Sequence, residues 1–389
     1  SIGPKMFPKI SCLNDLLPFV KDKENIRVKF DETFKKTVVC YMIQADDLFV
    51  GENAAYEKEC RGITFHETGE IACRTLHKFK NIGENESLQP QNIRWADVTR
   101  ISLKKDGSML TPVPMSPDEF STFKFKTKKS FDTKEALLGD DLVHKSLVKS
   151  IWIKMMLANG MTPTFEVTSP RMPIVVLYKE DELTLLHIRE NESGRYLTEE
   201  EIKNFKPPFP IVENVMYKFI GSGVPANLVS WDKLKEYAET AVGEESVVIQ
   251  FKSGDMVKLK TSWYVSLHRS ITFTRVRDVA RAVLMDQVDD LKGAFVIGGR
   301  SIDPIVKIEK EIFDKIHEVK ELVSEIVADG KALSLTQKDM ALRFNKHIHF
   351  GLIMNTFNGK TVDYLAWYSK YHLDSHSLMV IDQTLVEDE

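Results

Sequence analysis

The chain has 389 residues, of which 43% are hydrophobic and 10% aromatic, and its formal net charge is −4. That length suits two domains, or one large and one small, and the composition excludes disordered and collagen-like classes. No apolar run approaches the roughly 20 residues that span a bilayer. The negative balance excludes a protein that coats nucleic acid by bulk positive charge, so any contact with phosphate must come from local lysine clusters.

At the start of the chain, Ser1-Ile2-Gly3-Pro4-Lys5 has no apolar h-region and reads as a cloning scar or native tail before Met6. Cys12, Cys40, Cys60 and Cys73 form no C-x-x-C pair and have no clustered histidine. This pattern argues against a zinc site or a disulfide framework and for a reducing cytoplasm. From about residue 25 to 265 short alternating runs predict strands at 37–43, 63–65, 123–126, 164–167, 174–178 and 183–188. A helix is predicted over 143–158, with Leu147, Ile151 and Met155 as its apolar stripe and Asn159-Gly160 as its stop. Ser230 is the expected N-cap of a short helix reaching Ala241.

The run 246–260 predicts a hairpin about Ser253-Gly254-Asp255, with Gly254 supplying the positive φ of the turn. Beyond about residue 270 the period becomes helical. Asp303-Pro304 reads as a capping residue and a first-turn proline. Ile308, Ile312, Ile316, Val319, Val323 and Ile326 then form a stripe that Gly330 is expected to close. Thr336 with Asp339 resembles a capping box for a helix to about Phe350, and 362–371 is aromatic and helical. The expected fold is α+β: a domain of antiparallel sheets with flanking helices over 6–268, then an all-helical domain over 272–389.

The chemistry centres on Lys104-Lys105-Asp106-Gly107-Ser108. Lysine, one spacer and Asp-Gly place an amine beside a carboxylate at a turn, where glycine lets a ligand approach the backbone. A lysine nucleophile must be neutral to attack, and desolvation with nearby cations favours that state. Lys105, Lys128, Lys258 and Lys260 are the candidate neighbours. Alone, such a short pattern more often describes a surface lysine beside a turn.

Other segments add to it. In Thr164-Phe165-Glu166-Val167 alternation puts Glu166 opposite Phe165 and Val167, where it faces either a nucleotide or the solvated side of a sheet. Lys258 and Lys260 share one strand face, which suits a charged phosphoryl group or is simply a solvated lysine face. Glu245 begins the same hairpin. Upstream, Arg61 and Lys78 are further phosphate candidates. Lys124, Lys126 and Lys128 alternate onto one face beside Lys129 and Lys134, forming a phosphate stripe or a lysine-protected strand edge.

In this order the segments resemble the covalent nucleotidyltransferase superfamily of ATP-dependent ligases and capping enzymes, and within it the bacteriophage RNA ligase one family that repairs tRNA. Lys104-x-Asp106-Gly107, Phe165-Glu166, Glu245 and Lys258-x-Lys260 match its motifs. Glu59-Cys60-Arg61-Gly62-Ile63, Arg189-Glu190-Asn191-Glu192-Ser193-Gly194 and Ser262-Trp263-Tyr264-Val265-Ser266-Leu267-His268 match the RNA ligase branch.

The resemblance runs from about residue 30 to 270 and implies specific roles. Lys104 would be the adenylated nucleophile. Glu166 would touch the ribose or metal-bound water, and Glu245 would serve the hydration shell of Mg2+. Lys258 and Lys260 would grip the α-phosphate, while Arg61, Lys78 and Lys128 orient the triphosphate of ATP. Asp106 and Gly107 would complete the nucleotide-binding loop. Asp289-Asp290 matches an acidic pair that holds a cation or lies on a solvated helix face.

Two departures stand out. Ser246 follows Glu245 where the family usually has glycine, and Tyr41 is the nearest match to an aromatic residue that stacks near the nucleotide.

The implied activity is ATP-dependent joining of RNA 5′-phosphate and 3′-hydroxyl ends through lysyl-AMP and RNA-adenylate. The implied substrate is tRNA broken in the anticodon loop, met in the cytoplasm of a phage-infected host, with no membrane and no obligate protein partner. The alternatives are a DNA ligase, a GTP-using capping enzyme, or an inactive RNA-binding relative.

Overall fold

The computed structural model describes residues 7–42, 47–104, 107–120, 122–169, 180–222, 228–269, 274–297 and 301–381. The chain forms two compact units, one of Ser1–Phe131 with Glu135–Leu267 and one of Asp132–Lys134 with His268–Glu389.

Among the described residues the first unit contains twelve strands: β1 (Ile26–Asp31), β2 (Lys36–Tyr41), β3 (Arg61–His66), β4 (Ile71–Cys73), β5 (Lys80–Asn81), β6 (Val98–Lys104), β7 (Ser108–Pro114), β8 (Phe123–Lys126), β9 (Met161–Thr168), β10 (Glu182–Glu190), β11 (Ser246–Phe251) and β12 (Met256–Lys260). They build three four-stranded sheets, ordered β1-β2-β3-β4, β10-β9-β7-β8 and β5-β12-β11-β6. Pairing is antiparallel except for β12 with β5, which run parallel. The expected antiparallel α+β class holds with that one addition.

Alternation explains how each sheet finds its core. Leu110, Phe125, Phe165, Val167, Leu185 and Ile188 of the second sheet pack with Trp152, Ile153, Met156 and Leu157. Ile101, Val247, Ile249 and Val257 of the third sheet pack with Val215, Phe219 and Leu234. Each such fully buried side chain contributes about 1.5–3 kcal/mol. The hairpin turns at Gly254, whose φ is 90°, and Ser230 Oγ accepts from Lys233 N–H to cap Trp231–Thr240.

Several helical expectations need correction. The run predicted over 143–158 is two helices, Lys134–His144 and Leu147–Ala158, because Ser146 caps the second by accepting from Lys149 N–H. Its buried face holds Ser150, Trp152, Ile153, Met156 and Leu157. The predicted stripe lies outside, with Leu147 at 73%, Ile151 at 54% and Met155 at 39% exposure. A helix apolar on most sides offers periodicity two faces to choose from.

In the helical unit, Asp303–Ala332 starts after Ile302, so Asp303 lies inside the helix and is not its cap. Ile308, Ile312, Ile316, Val319 and Val323 are buried as expected, and Ile326 packs against the same cluster. Gly330 does not end this helix. A Cβ there would meet Met340 Sδ at 2.6 Å, so the glycine serves close helix packing. The capping box of Thr336 and Asp339 forms, but its helix stops at Phe344 and Phe350–Phe357 is separate. The aromatic segment is Tyr364–His372, capped by Asp363. The strand expected at 174–178 lies outside the described residues. Among the described residues no helix is long and apolar enough to cross a membrane.

Candidate active site

Lys104 is the last residue of β6. Its Nζ donates to Glu245 Oε2 at 2.7 Å. The Glu245 side chain is fully buried, whereas Lys104 keeps 29% exposure. Backbone bonds fix the pair: Glu245 N–H donates to Lys104 O at 3.1 Å, and Thr261 N–H donates to Glu245 O at 3.0 Å.

Register then arranges the neighbours. Ser246 stands opposite both Lys104 on β6 and Lys260 on β12, and Val248 stands opposite Ser102 and Lys258. Directly opposed residues share a face. Lys104, Ser246 and Lys260 therefore form one row, with Ser102, Val248 and Lys258 in the next. The reverse face carries the apolar core residues Ile101, Val247, Ile249 and Val257.

Glu166 lies on β9, opposite Met109 of β7 and Thr184 of β10. At 4% exposure it is buried, which rules out the solvated-sheet alternative. Gly107 shows why the loop after Lys104 needs a glycine. A Cβ there would come within 2.4 Å of Val167 O, 2.9 Å of Thr168 Cγ2 and 3.1 Å of Glu166 Oε1. Gly107 is thus pressed against the strand that carries Glu166. Asp106 lies outside the described residues, as does Lys105.

Tyr41 ends β2 and gathers two basic candidates. Lys78 Nζ lies 5.7 Å and Lys128 Nζ 5.1 Å from its ring centroid. Such cation–ring contacts hold a cation in place without neutralising it. Arg61 is aligned by His77 O, to which Nη1 donates at 3.3 Å, and by the Phe79 ring at 5.6 Å.

Of the proposed stripe of Lys124, Lys126 and Lys128, the first two are taken up by protein groups. Lys124 Nζ bonds Asp140 Oδ2 at 2.7 Å. Lys126 is fully buried, and its Nζ donates to the carbonyls of Gly62 at 2.7 Å and Thr127 at 3.1 Å. Gly62 meets that loop so closely that a Cβ would lie 2.3 Å from Lys128 O, and its φ is +102°. Lys126 and Gly62 thus fix the backbone from which Lys128 extends.

A buried ion cluster escaped the sequence reading. Glu59 accepts from Arg74 Nε at 3.2 Å and Nη2 at 2.9 Å, and from Arg189 Nη1 and Nη2 at 2.7 Å each. Burial by itself pushes the Glu59 carboxyl up, but the guanidiniums of Arg189 and Arg74 overcome it and hold it down at about 2. Glu59 and Arg189 were visible only as parts of two separate motifs, and nothing local marked Arg74 as their partner. Next to the cluster, His77 bridges Tyr196 Oη at 2.7 Å and Asp255 Oδ1 at 2.8 Å. Burial lowers the His77 pKa against the pull of Asp255.

Asp289 and Asp290 occupy the first turn of Val288–Ile297 in the helical unit, where Lys292 Nζ lies 3.9 Å from Asp289 Oδ1 and 3.0 Å from Glu309 Oε1. Among the described residues no three His, Cys, Asp or Glu side chains group closely enough to hold a metal ion by themselves.

Comparison with known proteins adds four findings. An archaeal ATP-dependent RNA ligase structure overlaps 80% of this chain and 78% of its own, with 14% identity and a TM-score of 0.45. An RNA ligase of Naegleria gruberi with pyrophosphate overlaps 45% of this chain and 52% of its own, with 14% identity and a TM-score of 0.30. In sequence, a Thermovibrio ammonificans protein with the provisional name of RNA ligase is 29% identical over 246 residues, 60% of this chain and 58% of its own length. The chain thus spans less than two thirds of that relative. A family model described as RNA ligase, of the phage RNA ligase one type, matches residues 59–264, just over half of the chain and the stretch holding Lys104, Glu166, Glu245, Lys258 and Lys260. The chain belongs to this RNA ligase family.

Proposed function

We propose that the chain is an ATP-dependent RNA ligase that joins a 5′-phosphate end to a 3′-hydroxyl end, with Lys104 as the nucleophile. The observation that carries this reading is the Lys104–Glu245 contact of 2.7 Å beside a glycine loop too tight for any side chain. In the first step Lys104 Nζ forms a bond to the α-phosphorus of ATP, and the bond to the pyrophosphate oxygen breaks. Glu245 Oε2 is placed to accept the proton that the amine must lose. The 5′-phosphate of RNA then displaces Nζ and takes AMP, and finally a 3′-hydroxyl displaces AMP and closes the strand.

Lys258 and Lys260 lie on the face of Lys104, where cations stabilise charge that develops at phosphorus. Arg61, Lys78 and Lys128 are assigned to the β- and γ-phosphates. Glu166, near Gly107, and Glu245, bonded to Lys104, supply buried carboxylate oxygens. Such a donor set fits magnesium, which commonly takes one or two carboxylates plus substrate phosphates and water. When bound, the cation polarises the phosphoryl oxygens. We assign adenylyl transfer to residues 6–268 and RNA selection to 272–389, with tRNA broken in the anticodon loop as the substrate.

The test uses ATP labelled at the α-phosphorus, with magnesium. Acid-stable, protein-bound AMP is expected in the parent and not in Lys104→Ala. GTP and nicked DNA should fail where ATP and RNA succeed, and broken tRNA should seal faster than an unstructured RNA oligomer. Equal labelling of the parent and Lys104→Ala would refute the assignment.

A further inference from the structure

Ser246 stands at the centre of the row that holds the nucleophile, opposite Lys104 on one side and Lys260 on the other. It is fully buried, and its Oγ has no hydrogen-bond partner among the described residues. An orphaned hydroxyl of this kind costs about 1–3 kcal/mol, and most buried polar atoms avoid that cost. Glycine, the usual residue of the family at this place, would remove it. The cost is explained if the hydroxyl acquires its partner from a ligand.

The row also restricts what that ligand is. The Lys260 ammonium only donates hydrogen bonds, the Lys104 amine donates until it loses its proton and bonds to phosphorus, and a serine between them has its own O–H free to donate. A group that meets all three must be rich in lone pairs and anionic, which describes a phosphoryl group and not a base edge or a ribose.

We propose that Ser246 is a phosphate-binding residue whose Oγ–H donates to a non-bridging oxygen of the α-phosphoryl group, first in ATP and then in lysyl-AMP. The ligand class is thus a nucleoside phosphate gripped between Lys104 and Lys260. The proposal rests on the ligase reading of this site for the identity of the phosphate. It deepens that reading by adding a donor that the family motif does not contain.

The experiment compares the full-length parent with Ser246→Ala and Ser246→Gly in three measurements. They are the melting temperature without ligand, calorimetric binding of ATP and of adenosine, and the rate of α-labelled AMP transfer to the protein. Loss of a hydrogen bond to a charged group predicts about tenfold weaker ATP binding and slower labelling in both variants. Adenosine binding should not change, and the melting temperature should stay level or rise because the orphan is gone. Parent-like ATP affinity and labelling in Ser246→Ala would overturn the proposal, as would equal losses for ATP and adenosine. If the parent binds ATP but forms no adduct, the ligase reading fails while the selective loss of ATP affinity still supports the serine contact. If the parent binds no ATP, both fall.

Discussion

Glu59 and Glu245 are both buried, and both pair with cations, yet their surroundings commit them to different work. Both Glu59 oxygens are taken by Arg74 and Arg189. Those guanidiniums spend their other N–H groups on the carbonyls of Pro8, Thr75, Asn191, Glu192 and Gly194. All three side chains are at most 1% exposed. Such a cluster has no capacity for a ligand, and it ties Glu59, just before β3, to β10 and the Asn191–Gly194 turn. Glu245 instead holds a lysine at a strand end that keeps 29% exposure, next to a loop where glycine is obligatory. Charge satisfied on every side is scaffold, and charge held at an open strand end is available for chemistry.

The largest expected effect breaks the scaffold side of this comparison. Glu59→Gln leaves two buried guanidiniums without their counter-charge, and breaking one partner of a buried pair costs about 3–5 kcal/mol. Urea unfolding should show that loss. The same carboxyl predicts the acid limb. Its pKa is lowered from 4.5 to about 2, so its stabilisation is complete above the unfolded value and is lost as pH falls from about 4.5 toward 2. The parent should therefore lose stability across that window, and Glu59→Gln should show a shallower acid limb. Parallel acid limbs would mean that other carboxylates dominate.

Next in size is the loss on the chemical side. Glu245→Gln keeps the shape and removes the acceptor charge beside Lys104, so AMP transfer should slow by about 100-fold, the scale of losing one stabilising group at a reacting phosphorus. Stability should change by only about 1 kcal/mol, because Lys104 is open enough to be hydrated. A variant equally crippled in folding would erase the distinction between the two glutamates. Gly107→Ala should fall between these cases. Its Cβ meets backbone at 2.4 Å, and overpacking of this kind costs about 1–3 kcal/mol. The strained loop should also slow labelling, while ATP affinity should change less than the labelling rate.

Alternation predicted β2, β3, β8, β9, β10 and the β11–β12 hairpin, but not β1, β4, β5, β7 or the strand β6 that ends in Lys104. It placed β8 over Phe123–Lys126 to the residue, and the two-residue spacing of Lys258 and Lys260 fixed their common face. What the sequence did not carry were contacts between residues far apart in the chain. Glu59 meets Arg189 across 130 positions. The fate of Lys126 was equally hidden, because a lysine that feeds backbone carbonyls looks, in sequence, like one that waits for phosphate. Ser246 was legible only as a departure from a motif. Its orphaned hydroxyl needed the register of β6, β11 and β12 to become visible.

The smallest expected effect is at Ile151, in the helix Leu147–Ala158, where periodicity chose the wrong face. Leu-Val-Lys-Ser-Ile-Trp-Ile-Lys-Met-Met-Leu-Ala is apolar at both i, i+4 rows, 147–151–155 and 153–157, so spacing alone does not say which row meets the sheet. The deciding fact lies elsewhere. Trp152, Ile153, Met156 and Leu157 are the residues that find Phe165, Val167 and Leu185. Ile151 is 54% exposed, so Ile151→Lys removes little packing and should change unfolding free energy by no more than about 0.5 kcal/mol. Ile153→Ala, on the fully buried face, should cost about 2–5 kcal/mol. Neither change should alter AMP transfer under folding conditions, since Ile151 lies on the exposed face of the helix and Ile153 belongs to the core behind β9, not to the face that carries Glu166. If Ile151→Lys proved the more damaging of the two, the exposed row would be packed against something in solution, and the assignment of this helix's inner face would have to be reversed.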